Sequence, residues 1–590
     1  MKQFFKYVLA TIVAIVIMNV LGLIIMFGMI GAMSAAGSAP TKLEAQSVYE
    51  LDLNGTLVER YEEDPFSEIF GKMSGSDYSK IGLDEILANI KKAKNNDKVA
   101  GIYLKAGGMF SGGFASLKEI RDALDDFKQS GKFIVAYGDN YSQGQYYLCS
   151  VANKVIANPQ GMVSWRGLDA QIPFFKGALE KLGIEMQVLR VGTFKSAVEP
   201  FIADKMSEAN REQVTVFVNS IWNTIVSQVS QSRNIQTDSL KIFADKALFV
   251  MPVSDVLNCK MIDTIMYVDG VDAVINSYLK NAADKKVKYV NHSKMTLAPA
   301  GEKLCKDKIA VLYAAGDIVD TGDGTDIITF EKMNKAIEKI AEKDAIKAVV
   351  FRVNSPGGSA FASEQIWRAI SELKKKKPVI VSMGDYAASG GYYISCEADY
   401  VFAQPNTLTG SIGIFGLIPN IQGLTKKIGV TFDGVKTNKH SDMISLNRPF
   451  TSEERDLMQA YINRGYETFV TRCADGRKMS VDSIKKIAEG RVWTGEDALK
   501  IGLVDQLGNL QDAIEFAAQK VNLKEYNTVN YPAKESFVER LMKSLSGEQT
   551  KARIAQEYIG AENYKLLKTL KNVENQNIIQ ARMEFDINIK

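Results

Sequence analysis

The sequence predicts an α/β fold made of two tandem copies of one domain, each with a parallel-rich sheet covered by helices. Two observations carry this expectation. Short apolar runs rich in β-branched residues alternate with amphipathic segments of helix length, the pattern of strands buried between helical layers. The chain also repeats itself: GDNYSQGQYYLC, Gly138–Cys149, returns as GDYAASGGYYIS, Gly384–Ser395, 246 positions later. A chain of 590 residues with 46% apolar composition is too long for one core and ample for several.

The first expected element is a membrane anchor. No charge interrupts Tyr7 to Met33, and a helix rising about 1.5 Å per residue crosses a bilayer core over that length. A cleaved signal peptide is the rival, but its apolar region would be shorter, about 7–15 residues, and SAAGSAP offers a poor cleavage site. Lys2 and Lys6 precede the span and the next cation is Lys42. This bias keeps the N-terminus in the cytoplasm and puts the remainder on the outer side of the inner membrane. Residues 1–45 are thus anchor and short linker.

Strands are expected at KFIVAYG (Lys132–Gly138), KIAVLYAAG (Lys308–Gly316), IKAVVFRV (Ile346–Val353) and KPVIVSMG (Lys377–Gly384). FASEQIWRAISELKKKK reads as a helix whose closing lysines are solvated rather than a binding patch. The repeat continues in ANKVIANP and ADYVFAQP, in KLGI and KIGV, and in FAS at Phe114 and Phe361. Spacing this constant means a duplicated domain. The expected copies are residues 46–290 and 306–530, joined by a linker at 291–305 and followed by a helical tail at 531–590 without a counterpart.

Net charge is +3, from 72 Lys+Arg against 69 Asp+Glu, so nucleic acid is not an expected partner. Cys149, Cys259, Cys305, Cys396 and Cys473 are scattered and lack C-x-x-C spacing. They read as buried structural thiols, with neither metal nor cofactor expected.

Ser389 follows a strand and precedes Gly390 and Gly391, which puts its hydroxyl at a strand-to-helix corner; an ordinary serine in a glycine-softened turn is the bland alternative. FRVNSPGGSA, Phe351–Ala360, ends a strand in two glycines whose N–H groups can hold a developing oxyanion, or merely form a tight turn. A nucleophilic serine needs a base, and His292 and His440 are the two histidines. The repeat offers another. Lys195, in VGTFKSAVEPF, stands where the second copy has Ser441, while Gln143 stands where the second copy has Ser389. Each copy has kept what the other lost, as expected if two Ser/Lys sites decayed into one split between domains. A lysine base requires burial to bring its pKa down from about 10.4.

Together these residues resemble the long, duplicated signal peptide peptidase A family of serine peptidases, whose fold is that of ClpP and the crotonases. The likeness runs through the anchor, VGTFKSAVEPF, NSPGG, GDYAASGGYY and LTGSIGIFG. It implies two ClpP/crotonase-like domains, a homotetramer anchored in the inner membrane with its catalytic domains on the periplasmic side, and cleaved signal peptides as substrates. It implies Ser389 as nucleophile, Lys195 as general base and Ser411 as the hydroxyl that orients the lysine. Gly358 and Gly390 match the oxyanion donors, with Gly357 beside them. Leu408, Ile412, Ile414 and Phe415 line a substrate pocket or belong to the core. A crotonase-type acyl-CoA enzyme, a catalytically inactive membrane scaffold and a Ser389/His440 peptidase are the alternatives.

Overall fold

The computed structural model describes residues 40–61, 80–301, 303–322, 324, 326–534, 579–583 and 588–589, with scattered positions before residue 22. The expected anchor lies largely outside the described residues. Among those described, no helix is long and apolar enough to cross a membrane.

Both halves build a largely parallel sheet. The first, of seven strands, runs in the order Lys80–Gly82, Ser47–Val58, Val99–Ser111, Phe133–Tyr141, Lys154–Val163 and Thr264–Ile265, and Lys288–Val290 also pairs with Ser47–Val58. All of these pairings are parallel. The second, of eight strands, runs Val492–Thr494, Leu408–Gly410, Val379–Ala388, Ile346–Ser355, Lys308–Ala315 and Asn527–Tyr531, with Tyr400–Ala403 and Gln506–Leu507 branching from Val379–Ala388. Its antiparallel pairing joins Leu408–Gly410 to Val492–Thr494. All four expected strands are present, each within a few residues of its expected bounds. Ile346–Ser355 is buried at almost every position because helices cover both faces, so its sequence reads as a continuous apolar run instead of alternating.

The duplication is written into the hydrogen bonds as well. Tyr146 Oη donates to the Met261 carbonyl at 2.9 Å, and Tyr392 Oη donates to the Leu503 carbonyl at 2.9 Å. Arg233 pairs with Asp263 at 2.7 Å and Arg477 with Asp505 at 2.6 Å. Each arginine closes a 26-residue helix, Glu208–Arg233 or Ser452–Arg477, that ends on a left-handed residue.

The halves are locked by a buried charge cluster. Arg352, on a central strand of the second sheet, reaches Glu59 at 2.9 Å and Glu119 at 2.7 Å in the first half. Burial pushes the Glu119 carboxyl up to about 7, with the Arg352 charge opposing.

A third sheet joins the halves and carries the site. The elements around the site are β1 (Glu185–Arg190), β2 (Asp317–Val319), β3 (Gly357–Ser359), β4 (Val379–Ala388), α1 (Gly390–Ser395), β5 (Leu408–Gly410), β6 (Phe415–Asn420) and β7 (Ile579–Arg582). β4 and β5 belong to the second sheet; the third runs Ile327–Thr329, β2, β3, β7, β6, β1. It thus takes β1 from the first half and β7 from the tail.

Three expectations change. Of the expected helical tail, residues 535–578 lie outside the described residues, while Ile579–Arg582 and Asn588–Ile589 form strands; IQAR finds unpaired strand edges on both sides, and pairing outweighs local helix preference. The linker carries a helix, His292–Leu297, capped by Asn291. Cys149, Cys396 and Cys473 are buried, but Cys259 and Cys305 are only half-buried; all five are free thiols.

Candidate active site

Ser389 sits between the end of β4 and the start of α1 with φ 54° and ψ −113°, a backbone conformation that L-residues rarely adopt. Its N–H donates to the Gly410 carbonyl at 2.7 Å, tying the corner to β5. The side chain is fully buried. Ser411, just past β5, also has positive φ, 50°, and its N–H donates to the Arg491 carbonyl at 2.7 Å.

Lys195 arrives from the other half. Its Nζ lies 2.7 Å from Ser389 Oγ, 3.0 Å from Ser411 Oγ and 3.0 Å from the Ser411 carbonyl oxygen, and the residue is 1% exposed. The segment that carries it is clamped by the second half. Phe194 N–H donates to the Glu489 carbonyl at 2.9 Å, Thr193 N–H donates to Glu489 Oε2 at 2.9 Å, and the Arg491 guanidinium stacks 4.6 Å from the Phe194 ring centre. Gln213 bridges the two segments, donating to the Phe194 carbonyl at 3.1 Å and accepting from Val492 N–H at 3.2 Å. Gly490 has φ +75°, and a Cβ there would stand 2.6 Å from Lys195 Cβ, so the clamp closes only on a glycine.

The three glycines surround the same corner. Gly357 has φ +102°, and a Cβ on it would stand 2.7 Å from the Gly390 nitrogen, so β3 approaches α1 as closely as backbone allows. Gly357, Gly358 and Gly390 are buried. The four apolar candidates are core residues in this structure: Leu408 packs with the first half's core, Ile412 and Ile414 with the second's, and Phe415 with Leu179, Val198 and Phe201 beside the lysine segment.

Neither histidine is in this constellation. His440 lies on the surface, 3.6 Å from Glu453, and His292 bonds Tyr49 Oη at 2.9 Å in the first half. Among the described residues, no group of three or more His, Cys, Asp or Glu side chains could hold a metal ion. Sequence reasoning missed Gly490, Gln213, Glu489 and Arg491. These act through contacts across about 280 to 300 positions of chain, for which local pattern carries no signal.

The sequence profile of peptidase family S49 matches residues 126–283, which include Lys195, and residues 371–524, which include Ser389 and Ser411. Protease 4 of Salmonella typhi is 35% identical over 532 residues, covering 87% of this chain and 85% of that protein. The chloroplastic serine protease SPPA of Arabidopsis thaliana is 34% identical over 457 residues, covering 75% of this chain and 66% of that protein. Among solved structures, a ClpP1 mutant from Listeria monocytogenes aligns with a TM-score of 0.23 and 16% identity, over 35% of this chain and 94% of that one. With two matched segments spanning both halves and relatives alike over most of its length, this chain belongs to peptidase family S49 and is a serine protease with tandem domains.

Proposed function

We propose that this chain is a membrane-anchored endopeptidase of the signal peptide peptidase type, in which Ser389 is the nucleophile and Lys195 the general base. The observation that carries the reading is the contact of Lys195 Nζ with Ser389 Oγ at 2.7 Å in a buried site. Removal from water favours the neutral amine over the ammonium. The two oxygens of Ser411 accept the two N–H bonds of a neutral amine, which leaves its lone pair for the Ser389 hydroxyl proton. Ser411 thereby orients the base.

Ser389 Oγ attacks the scissile carbonyl as Lys195 takes its proton. The amides of Gly358, Gly390 and Gly357 receive the developing oxyanion. Lys195 returns the proton to the leaving amine, and water resolves the acyl-enzyme with the same lysine as base. No cofactor is required. The substrate takes the place that β7 holds between β3 and β6 as an extended strand, its side chains packing over the apolar wall to which Leu408, Ile412, Ile414 and Phe415 belong. Remnant signal peptides are the substrates proposed, on the resemblance of motifs and the uncharged N-terminal stretch, which also supports anchoring in the inner membrane with the domains on the periplasmic side. The ClpP/crotonase-like fold, the homotetramer and the division at residues 46–290, 291–305, 306–530 and 531–590 belong to the same proposal.

The test is hydrolysis of a synthetic signal peptide by the full chain and by Ser389→Ala, Lys195→Ala and His440→Gln. Activity is lost in the first two and kept in the third. Retention in Lys195→Ala sinks the reading.

A further inference from the structure

The chain's own tail lies in the groove beside Ser389. β7 is antiparallel to β3 on one side, with Gly357 opposite Arg582, Gly358 opposite Ala581 and Ser359 opposite Gln580. On the other side it is antiparallel to β6, with Phe415 opposite Gln580. Met583 N–H donates to the Pro356 carbonyl at 2.8 Å. Bonded pairs alternate along an antiparallel ladder, so Gly358 and Ala581 form the next one, with Gly358 N–H turned toward the Ala581 carbonyl. That oxygen lies 2.2 Å from where a Cβ on Gly357 would stand and 2.9 Å from where one on Gly390 would. One peptide carbonyl of the tail therefore sits among the three glycines assigned above to the oxyanion.

The flanking residues are also engaged. Ala581 is fully buried, and its methyl suits a tight site on the acyl side. Arg582 pairs with Asp317 of β2 at 2.9 Å, and Met583 joins the core of the first half.

We propose that the Ala581–Arg582 bond is a self-processing site, with Asp317 a specificity-determining residue for the basic side chain just beyond the cut. The inference rests on the Ser389/Lys195 reading. Ser389 Oγ bonds to the Ala581 carbonyl carbon while its proton passes to Lys195. The C–N bond to Arg582 breaks, the proton goes to the new amine, and residues 582–590 leave. Water then cleaves the ester, which yields the Ala581 carboxylate and restores the Ser389 hydroxyl.

Intact-mass time courses after cell-free synthesis of the full chain test this, with hydrolysis of an added synthetic peptide measured on the same samples. The wild type ends at Ala581, and Ser389→Ala retains residue 590. Arg582→Glu is processed about tenfold more slowly, and adding Asp317→Lys restores the rate, as a charge-assisted pair requires. Four results overturn the proposal: a wild type that keeps residues 582–590, one that ends elsewhere, loss of those residues from Ser389→Ala, or an Arg582→Glu chain cut at the wild-type rate. If the intact wild type still cleaves the added peptide, self-processing alone falls; if it cleaves neither, the peptidase reading falls with it.

Discussion

The two halves answer the same structural position in opposite ways. At the end of Phe133–Tyr141, Gln143 opens a helix within a capping box formed by Ser142 and Gln145. Its side-chain oxygen accepts from the N–H groups of Arg166 and Gly167, both at 3.1 Å, and its nitrogen donates to the Gly167 carbonyl at 3.0 Å. At the matching corner Ser389 keeps a rare backbone conformation and meets a lysine. Opposite the corner, Ser411 is matched in the first half by Trp165, which is buried and donates to the Leu240 carbonyl at 2.8 Å. The first copy has filled its site with hydrogen bonds and an aromatic ring; the second keeps a strained serine beside a buried amine. Function tolerates strain that stability alone would relax, so the relaxed copy marks what the site no longer has to do.

The sharpest way to break this contrast is chemical. Ser389→Ala or Lys195→Ala is expected to lower kcat/KM by about 10⁴-fold or more with unfolding transitions unchanged, whereas Gln143→Ser creates no activity of its own. Peptide hydrolysis in each variant checks this, and activity from Gln143→Ser in a Ser389→Ala background would overturn it.

Next in size is the lock between halves. Arg352 is buried against two carboxylates, while Lys105, its counterpart on the equivalent strand of the first half, meets Asp52 at 3.7 Å with its side chain 48% exposed. Arg352→Ala leaves buried charge unpaired and is expected to cost about 3–5 kcal/mol. Lys105→Ala should cost at most about 1 kcal/mol. Denaturant midpoints of the two variants separate these, and equal losses would contradict the assignment.

Gly490→Ala probes the clamp on the lysine. A methyl there meets Lys195 Cβ and requires a left-handed backbone, so activity should drop about 100-fold through a displaced base. The loss should appear in kcat; a change confined to KM would argue against displacement. Smallest is Gln143→Ala, which gives up the bonds to Arg166 and Gly167 and should cost about 1–2 kcal/mol in urea unfolding with peptide hydrolysis unaltered.

Much of this was legible before any coordinates. The strands Ile346–Ser355 and Val379–Ala388 announce themselves because helices on both faces force unbroken apolar runs. The glycines after Ser389 and at Gly357 were readable because only a residue without Cβ permits the approach of β3 to α1. Lys195 was readable only by comparing the copies, since nothing in VGTFKSAVEPF itself distinguishes a buried base from a solvated lysine. Where the tail is described, Ile579–Arg582 departs from the expected helix for a related reason: it forms a strand because β3 and β6 offer it two edges, and those edges lie more than 150 positions away.

The sequence by itself determined the local elements, the duplication and the residue types able to do the chemistry, because those depend on periodicity, turn geometry and side-chain identity. Tertiary structure alone decided which of them meet. Lys195 and Ser389 are 194 positions apart, Arg352 and Glu59 are 293 apart, and β7 crosses between strands of a folded domain. Such pairings are set by how two sheets pack and which edges remain open, and that packing is a property of the whole chain's buried surface.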